Sequence, residues 1–283
     1  MRGLVLGAGG QLGSALARLL GVEAAISHQE ASVTDLASLH ALFADRKPGV
    51  VLNCAAYNAV DRAETEPGLA HLVNSEGAHN VAVACERVDA RLVHFSTNFV
   101  FDGRLERLYV ETDEPAPLGV YAASKLDGER KVLSRLPHAL VVRTAALFGD
   151  RGSAIKGGSF PERILIRAEQ GEPLRVVADQ CVNPTYARDL AAAAVQLAET
   201  DLDGVVHVVA GGCCAWDEFA RAVLAECGVA AAVESVSSAQ MAAVAARPLN
   251  GCLASGRVAP LRPWREGLRS WVEHRASAPR STP

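Results

Sequence analysis

"GLVLGAGGQLGSALARLLG", Gly3 to Gly21, decides how this chain folds. The apolar "GLVL" reads as a strand, and "QLGSALARLLG" reads as a helix stopped by Gly21. Between them stand Gly7, Gly10 and Gly13 in GxxGxxG spacing, with Gly9 adding a GxG reading. A tight turn and the close approach of a pyrophosphate both exclude side chains. The first helical turn offers free N–H groups and the positive end of the helix dipole. A glycine triplet alone is weak evidence, but the strand–turn–helix context makes it a dinucleotide site.

Outward from this point, β-branched runs alternate with helix-like stretches. "AAISHQE" reads as a second strand, and "TDLASLHALFADRKP" as a helix with a Thr/Asp start and a Pro stop. "GVVLNCAA" is a buried strand, "PGLAHLVNSEGAHNVAVACERVD" one long amphipathic helix, and "ARLVHFSTNFVFD" opens as a strand. "KLDGERKVLSRLP" is helical, and "HALVVRTAALFG" starts as a strand. Such alternation predicts an α/β fold with a Rossmann-type doubly wound parallel sheet. Residues 1–149 are expected to form the dinucleotide-binding domain and 150–275 mainly a smaller C-terminal substrate-binding lobe. A strand near 205–210 is expected to return to the main sheet. "GDRGSAIKGGSF" reads as a loop, and 276–283 as a disordered tail.

The 283 residues suffice for a sizeable core, and 49% of them are hydrophobic, which favours a globular chain over a disordered one. A net charge of −4 argues against a nucleic-acid binder that relies on overall basicity. No apolar run is long enough to span a bilayer, and the glycines in residues 1–20 make that stretch unlike a signal peptide. Seven cysteines without a CxxC read as reduced thiols of a cytoplasmic protein. Histidines and cysteines show no zinc-ligand spacing, so no metal is expected.

Tyr121 and Lys125 lie four apart in "PLGVYAASKLDGE", one face of a helix. A Tyr phenol titrates near ~10, and a neighbouring ammonium is expected to pull it down by roughly 1–3 units. The Lys can also bond the nicotinamide ribose. Upstream, "HFSTNFVFDG" places Ser96 and Thr97 at a strand's carboxyl end, where open α/β sheets bind ligands. "NCAAYNAV" places Asn53, Ala55 and Ala56 at another, small enough to let a cofactor pass. Together they form a Ser/Thr–Tyr–Lys reductase constellation. The adenosine 2′ position should meet Ser27-His28-Gln29-Glu30, where neither a well-placed acid nor an Arg stands. NADPH or NADH both remain open, with a slight lean to NADP.

These residues resemble the extended short-chain dehydrogenase/reductase superfamily, and within it the dTDP-4-dehydrorhamnose reductase family. The markers are "GAGGQLG", "NCAAYNAVDRAE", "VNSEGAHNVA", "FSTNFVFDG", "YAASKLDGE", "DQCVNPTYARDLA", "WDEFA" and "RPLN". The resemblance implies Thr97, Tyr121 and Lys125 as the catalytic set. It implies Gly7, Gly10, Gln11, Leu12 and Gly13 around the pyrophosphate, and Asp35 near the adenine. Ala55, Ala56 and Tyr57 would line the cofactor path, and Asn74 would be a buried polar support. Val60, Asn98 and Ala146 would meet the substrate. The implied reaction is hydride transfer from NAD(P)H to the 4-keto carbon of a nucleotide-linked 6-deoxysugar, in deoxysugar biosynthesis. No nucleic acid or membrane partner is implied, and a homodimer is left open.

Two positions depart from the family. Asn98 replaces the usual Asp after the Thr, and Ala146 replaces an aromatic, commonly Trp. Losing that apolar contact is worth ~1–3 kcal/mol. Asn98-Phe99 lacks the acidic pair that sugar 4,6-dehydratases use, which disfavours dehydration. Two alternatives stand beside the reductase. One is a non-catalytic nucleotide-binding subunit, of the kind that regulates methionine adenosyltransferase. The other is a nucleotide-sugar 4-epimerase.

Overall fold

The computed structural model describes residues 2–150 and 158–277. Six strands form the main sheet: β1 (Gly3–Leu6), β2 (Ala25–Ile26), β3 (Val50–Asn53), β4 (Arg91–Thr97), β5 (Leu140–Thr144) and β6 (Gly204–His207). All pair in parallel, in the order β6-β5-β4-β3-β1-β2. Chain order reverses between β1 and β3, which opens the crevice at the carboxyl edge where such sheets bind ligands. The sheet is therefore the Rossmann-type doubly wound one.

Strand alternation divides the core between two helical layers. Leu4, Leu6, Val51, Leu92 and Val141 pack against Leu39 and Phe43 of α2 (Leu36–Arg46), Val81 and Cys85 of α3 (Gly77–Arg87), and Val132 of α4 (Val120–Arg135). Their neighbours Val5, Val50, Leu52, Val93 and Val142 face the other way. They meet Leu12 and Leu16 of α1 (Gln11–Leu20), and Leu190 and Ala194 of α5 (Ala187–Ala198). Each large aliphatic side chain so buried contributes roughly 1.5–3 kcal/mol.

The remaining residues pack differently. Phe148, Tyr186, Phe219, Trp264 and Trp271 form a third, aromatic cluster, around α6 (Trp216–Glu226) and α7 (Trp264–Ser277). Around them the strands are short: Cys181–Val182 pairs with Cys214–Ala215, and Leu174–Val177 with Val233–Val236.

Three sequence expectations need correction. The second strand is only Ala25–Ile26, because Ser27 opens a turn. The Glu30 carboxylate accepts the Ser27 N–H at 2.9 Å, and the Ser27 hydroxyl accepts the Glu30 N–H at 3.2 Å; these local bonds compete with the ladder. The long helix from Pro67 carries a π turn over Leu72–Glu76. Ala276 and Ser277, read as tail, continue α7. The rest of the tail, 278–283, and most of the expected loop, 151–157, lie outside the described residues.

Candidate functional site

The glycine turn joins β1 to α1 by close contact. Gly7 has φ +74°, and its α-hydrogen side faces Ala55; a Cβ there would lie 2.7 Å from the Ala55 nitrogen. A Cβ on Gly13 would lie 2.2 Å from the Gly7 oxygen, so α1 can start this near the turn only with glycine. Gly10 is exposed at the N-cap, with no side-chain cap for the first N–H groups of α1. Leu12 is buried in the core, so it contributes backbone here. Gln11 lies beside Gly149, and its Nε2 is buried with no protein partner. Free N–H groups, an orphaned amide and bare glycine backbone suit a pyrophosphate. Ala55 is half-buried and Ala56 exposed beyond β3, so this path is also lined by small side chains.

Other expected cofactor residues are engaged with the protein itself. Asp35 caps α2, accepting N–H groups from Ala37 and Ser38 at 3.0 and 3.2 Å. Tyr57 turns its phenol away to Glu66, which also pairs with Arg62 at 2.7 Å, so only its backbone faces the neighbourhood of Asn74. Asn74 accepts the Tyr57 N–H at 2.8 Å and donates to the Tyr57 carbonyl and Ser124 hydroxyl, both at 3.0 Å. It thereby ties the π turn to the loop after β3 and to α4. Val60 is half-buried at the start of the helical turn Val60–Ala63.

The reacting side chains gather where α4 crosses β4. His94 and Ser96, two apart on the strand, face Lys125 and Glu129, four apart on the helix. Lys125 Nζ donates to the Phe95 carbonyl at 2.7 Å and lies 3.4 Å from His94 Nε2. Ser96 donates to Glu129, which is paired with Arg143 of β5 at 2.7 Å, all buried. Ser96 thus serves this buried ion pair, and Thr97 is the hydroxyl that meets Tyr121. Phe99 packs edge-on against the Tyr121 ring, centroids 5.9 Å apart.

The electrostatics differ from the sequence expectation. Burial pushes the Tyr121 phenol up, with the Thr97 hydrogen bond pulling the other way. No downward pull from Lys125 accompanies it. Instead burial lowers Lys125 itself to about 8, opposed by Glu129 and Cys54. Burial and Lys125 hold His94 well below the usual imidazole range, so its ring is neutral. Ala55 N–H donates to Asn53 Oδ1 at 3.2 Å, which turns Asn53 Nδ2 to His94 Nδ1 at 3.1 Å.

The sequence reading did not assign His94, Glu129, Arg143 or Asn183. The available signal was polarity inside otherwise apolar runs, as in "RLVHF" and "LVVRT". On the other side of the cleft, Ala146 has φ +43°, and its carbonyl accepts the Thr185 N–H at 3.2 Å. Asn98 is buried, its amide donating to the Gly251 carbonyl at 2.9 Å. Its side chain is therefore spent on protein rather than left open to a substrate.

Residues 1–277 match the family model described as RmlD substrate binding domain. A dTDP-4-dehydrorhamnose reductase of Mycobacterium tuberculosis is 41% identical, over 94% of this chain and 90% of the relative. A probable dTDP-4,6-dihydroxy-2-methyloxan-3-one 4-ketoreductase of Streptomyces antibioticus is 37% identical, over 95% of this chain and 94% of the relative. The crystal structure of a Bacillus anthracis dTDP-4-dehydrorhamnose reductase in complex with NADP superimposes with a TM-score of 0.91 at 33% identity, covering 96% of this chain and 98% of that one. The glycine turn, the Thr–Tyr–Lys cluster and these likenesses across nearly the whole length agree: the chain belongs to the dTDP-4-dehydrorhamnose reductase family.

Proposed function

We propose that this protein is an NAD(P)H-dependent reductase of a nucleotide-linked 4-keto-6-deoxysugar, with NADPH the preferred cofactor. The observation that carries the reading is the convergence of Thr97, at the end of β4, with Tyr121 and a buried Lys125 on α4, the Phe99 ring packed edge-on against Tyr121. Residues 1–149 hold the dinucleotide and 150–275 supply most of the substrate side. Gly7, Gly10, Gln11, Leu12 and Gly13 take the pyrophosphate. Ala55 and Ala56 border its path, and the loop after β3 that carries Tyr57 supports it. The loop that ends at Asp35 borders the adenine with its backbone, since the carboxylate caps α2. Glu30 is likewise spent on its own turn, which leaves exposed Ser27 and His28 toward the 2′ position and supports the lean to NADP. The NADP bound to the Bacillus anthracis relative supports the same lean.

When bound, the reduced nicotinamide supplies the hydride. Thr97 polarises the sugar's C4 carbonyl. Tyr121, kept protonated by burial, gives its proton to the alkoxide oxygen, and the Lys125 ammonium stabilises the phenolate left behind. Val60 and Ala146 border the sugar. The Streptomyces antibioticus relative, named for a different keto sugar, widens the substrate class beyond one deoxysugar. The test is a panel of dTDP- and UDP-linked 4-keto-6-deoxysugars with NADPH or NADH, followed by loss of reduced-cofactor absorbance. Turnover on at least one is expected. Cofactor binding with no turnover on any would overturn the reading in favour of a nucleotide-binding scaffold.

A further inference from the structure

The residue after Thr97, Asn98, sits in specific surroundings. Asn98 is 2% exposed, and its Nδ2 donates to the Gly251 carbonyl at 2.9 Å. Its Oδ1 accepts the Thr97 hydroxyl at 3.4 Å, and that same Thr97 oxygen accepts the Phe99 N–H at 3.2 Å and contacts the Tyr121 phenol. The Thr97 oxygen has one proton and two lone pairs. Asn98 takes the proton through a long, easily surrendered bond, so the hydroxyl is oriented yet free to swing to a carbonyl.

Gly251 is pinned from the other side. Its N–H donates to the Cys181 carbonyl at 2.8 Å. A Cβ there would lie 2.4 Å from Asn98 Nδ2 and 3.2 Å from the Cys181 oxygen. The flanking residues fix the segment independently. Asn250 donates to the carbonyls of Leu105 and Arg107 at 2.7 and 2.8 Å, and the Leu253 N–H donates to Asn183 at 2.7 Å. The Gly251 carbonyl therefore presents a fixed acceptor to position 98. A carbonyl cannot donate, and neither can an ionised carboxylate. A buried Asp at this position would face an acceptor with an acceptor, which costs more than the loss of one hydrogen bond.

We propose that Asn98 is a positioning residue: its amide clasps Gly251 and holds Thr97 in register across the cleft, a task that requires a side-chain donor and a glycine partner. The proposal rests on the reductase reading above, and goes beyond it in taking Asn98 out of direct substrate contact.

The test compares wild type with Asn98→Asp, Asn98→Ala and Gly251→Ala, by steady-state NADPH oxidation and by thermal melting, each across pH. The elements packed around position 98 carry other titratable groups, among them Tyr121, Lys125 and Glu129 on α4, Arg143 on β5, and Cys181 and Cys252 on the clasped segments. They are common to all four proteins, so wild type is the reference at every pH. For Asn98→Asp we expect about a tenfold or greater fall in kcat/KM at pH 8, carried by kcat more than KM. Both the activity deficit and the melting deficit should shrink as pH falls, because the protonated carboxyl regains a donor. Asn98→Ala and Gly251→Ala should show deficits that acid does not repair. An Asn98→Asp protein equal to wild type at all pH values, or one with a pH-independent deficit, overturns the proposal. If wild type reduces no keto sugar, the reductase reading fails on its own, and the melting comparison still decides whether the clasp exists.

Discussion

The two walls of the cleft are positioned by different means. On the cofactor side, main-chain geometry does the work: parallel strands in fixed register bring Gly7, Ala55 and Thr97 to one edge, and glycine lets both α1 and the loop after β3 approach the Gly7 turn to contact distance. On the opposite wall the strands are two to four residues long, and buried side-chain amides replace the ladder. Asn183 Nδ2 shares its two protons among the carbonyls of Gly212 at 3.1 Å and of Ala210 and Leu253 at 3.3 Å, while its Oδ1 accepts the Leu253 N–H. Asn250 and Asn98 fasten the same segment to the Rossmann half. A backbone-built wall accepts a cofactor of constant shape. A wall built from individual side chains can change from one relative to the next without disturbing the sheet, which fits a family whose members are named for different keto sugars.

The most damaging change should fall where the walls meet. Tyr121→Phe removes the proton donor and should lower kcat by about 10²–10⁴-fold while NADPH affinity stays near wild type. Measuring cofactor binding by fluorescence beside turnover separates the two. An unimpaired kcat would mean the proton comes from elsewhere, and the cleft would lose its assigned centre.

Next in size come two substitutions, one for each wall. Gly13→Ala forces a methyl into the Gly7 carbonyl and should cost about 1–3 kcal/mol of stability, with weakened NADPH binding and little change in substrate KM. Asn183→Ala leaves buried carbonyls and one N–H without partners, a similar cost of roughly 1–3 kcal/mol. Its kinetic signature should be the reverse, a raised substrate KM with NADPH affinity kept. If both variants lose cofactor and substrate alike, the division of labour between the walls is wrong.

The same division explains what could be read from the sequence. "GLVLGAGGQLG" states its own geometry, because glycine spacing and strand–helix alternation are local properties. Tyr121 and Lys125 were legible for the same reason: four residues on a helix is a short distance. The pairing of Asn98 with Gly251 spans 153 residues and depends on which carbonyl the fold delivers to an amide. The upward shift of Tyr121 was also hidden, since it comes from burial supplied by Phe99 and neighbouring elements rather than from the YxxxK spacing. Asp35 and Tyr57 are placed only by family resemblance, and their side chains turn to a helix cap and to Glu66.

Lys125 offers a smaller, graded test. Burial lowers its folded-state value from 10.5 to about 8. Between those values the unfolded chain holds a proton that the folded chain lacks, so stability should rise with pH across that window. Activity should move the other way, because the ammonium that supports the phenolate is lost. The alkaline limb of kcat/KM is therefore expected near pH 8, and Lys125→Met should flatten the stability rise. A limb near the ordinary lysine value would place Lys125 in a wetter setting than the backbone-built wall allows.

The smallest effect belongs to Ala146, where the side-chain-built wall carries strain. Its φ of +43° lies in the left-handed region, held there while its carbonyl receives the Thr185 N–H. For a non-glycine residue that conformation costs roughly 1–2 kcal/mol, and glycine returns part of the gain through its freer unfolded chain, about 0.5–1 kcal/mol. Ala146→Gly should therefore stabilise the protein by about 1 kcal/mol or less, seen as a melting-point rise of about 2 °C or less. If the variant is instead destabilised, the Cβ of Ala146 is making contacts worth more than the strain. The substrate wall would then be packed at this position, not merely tied by hydrogen bonds, and the contrast between the two walls would narrow to the glycine turn alone.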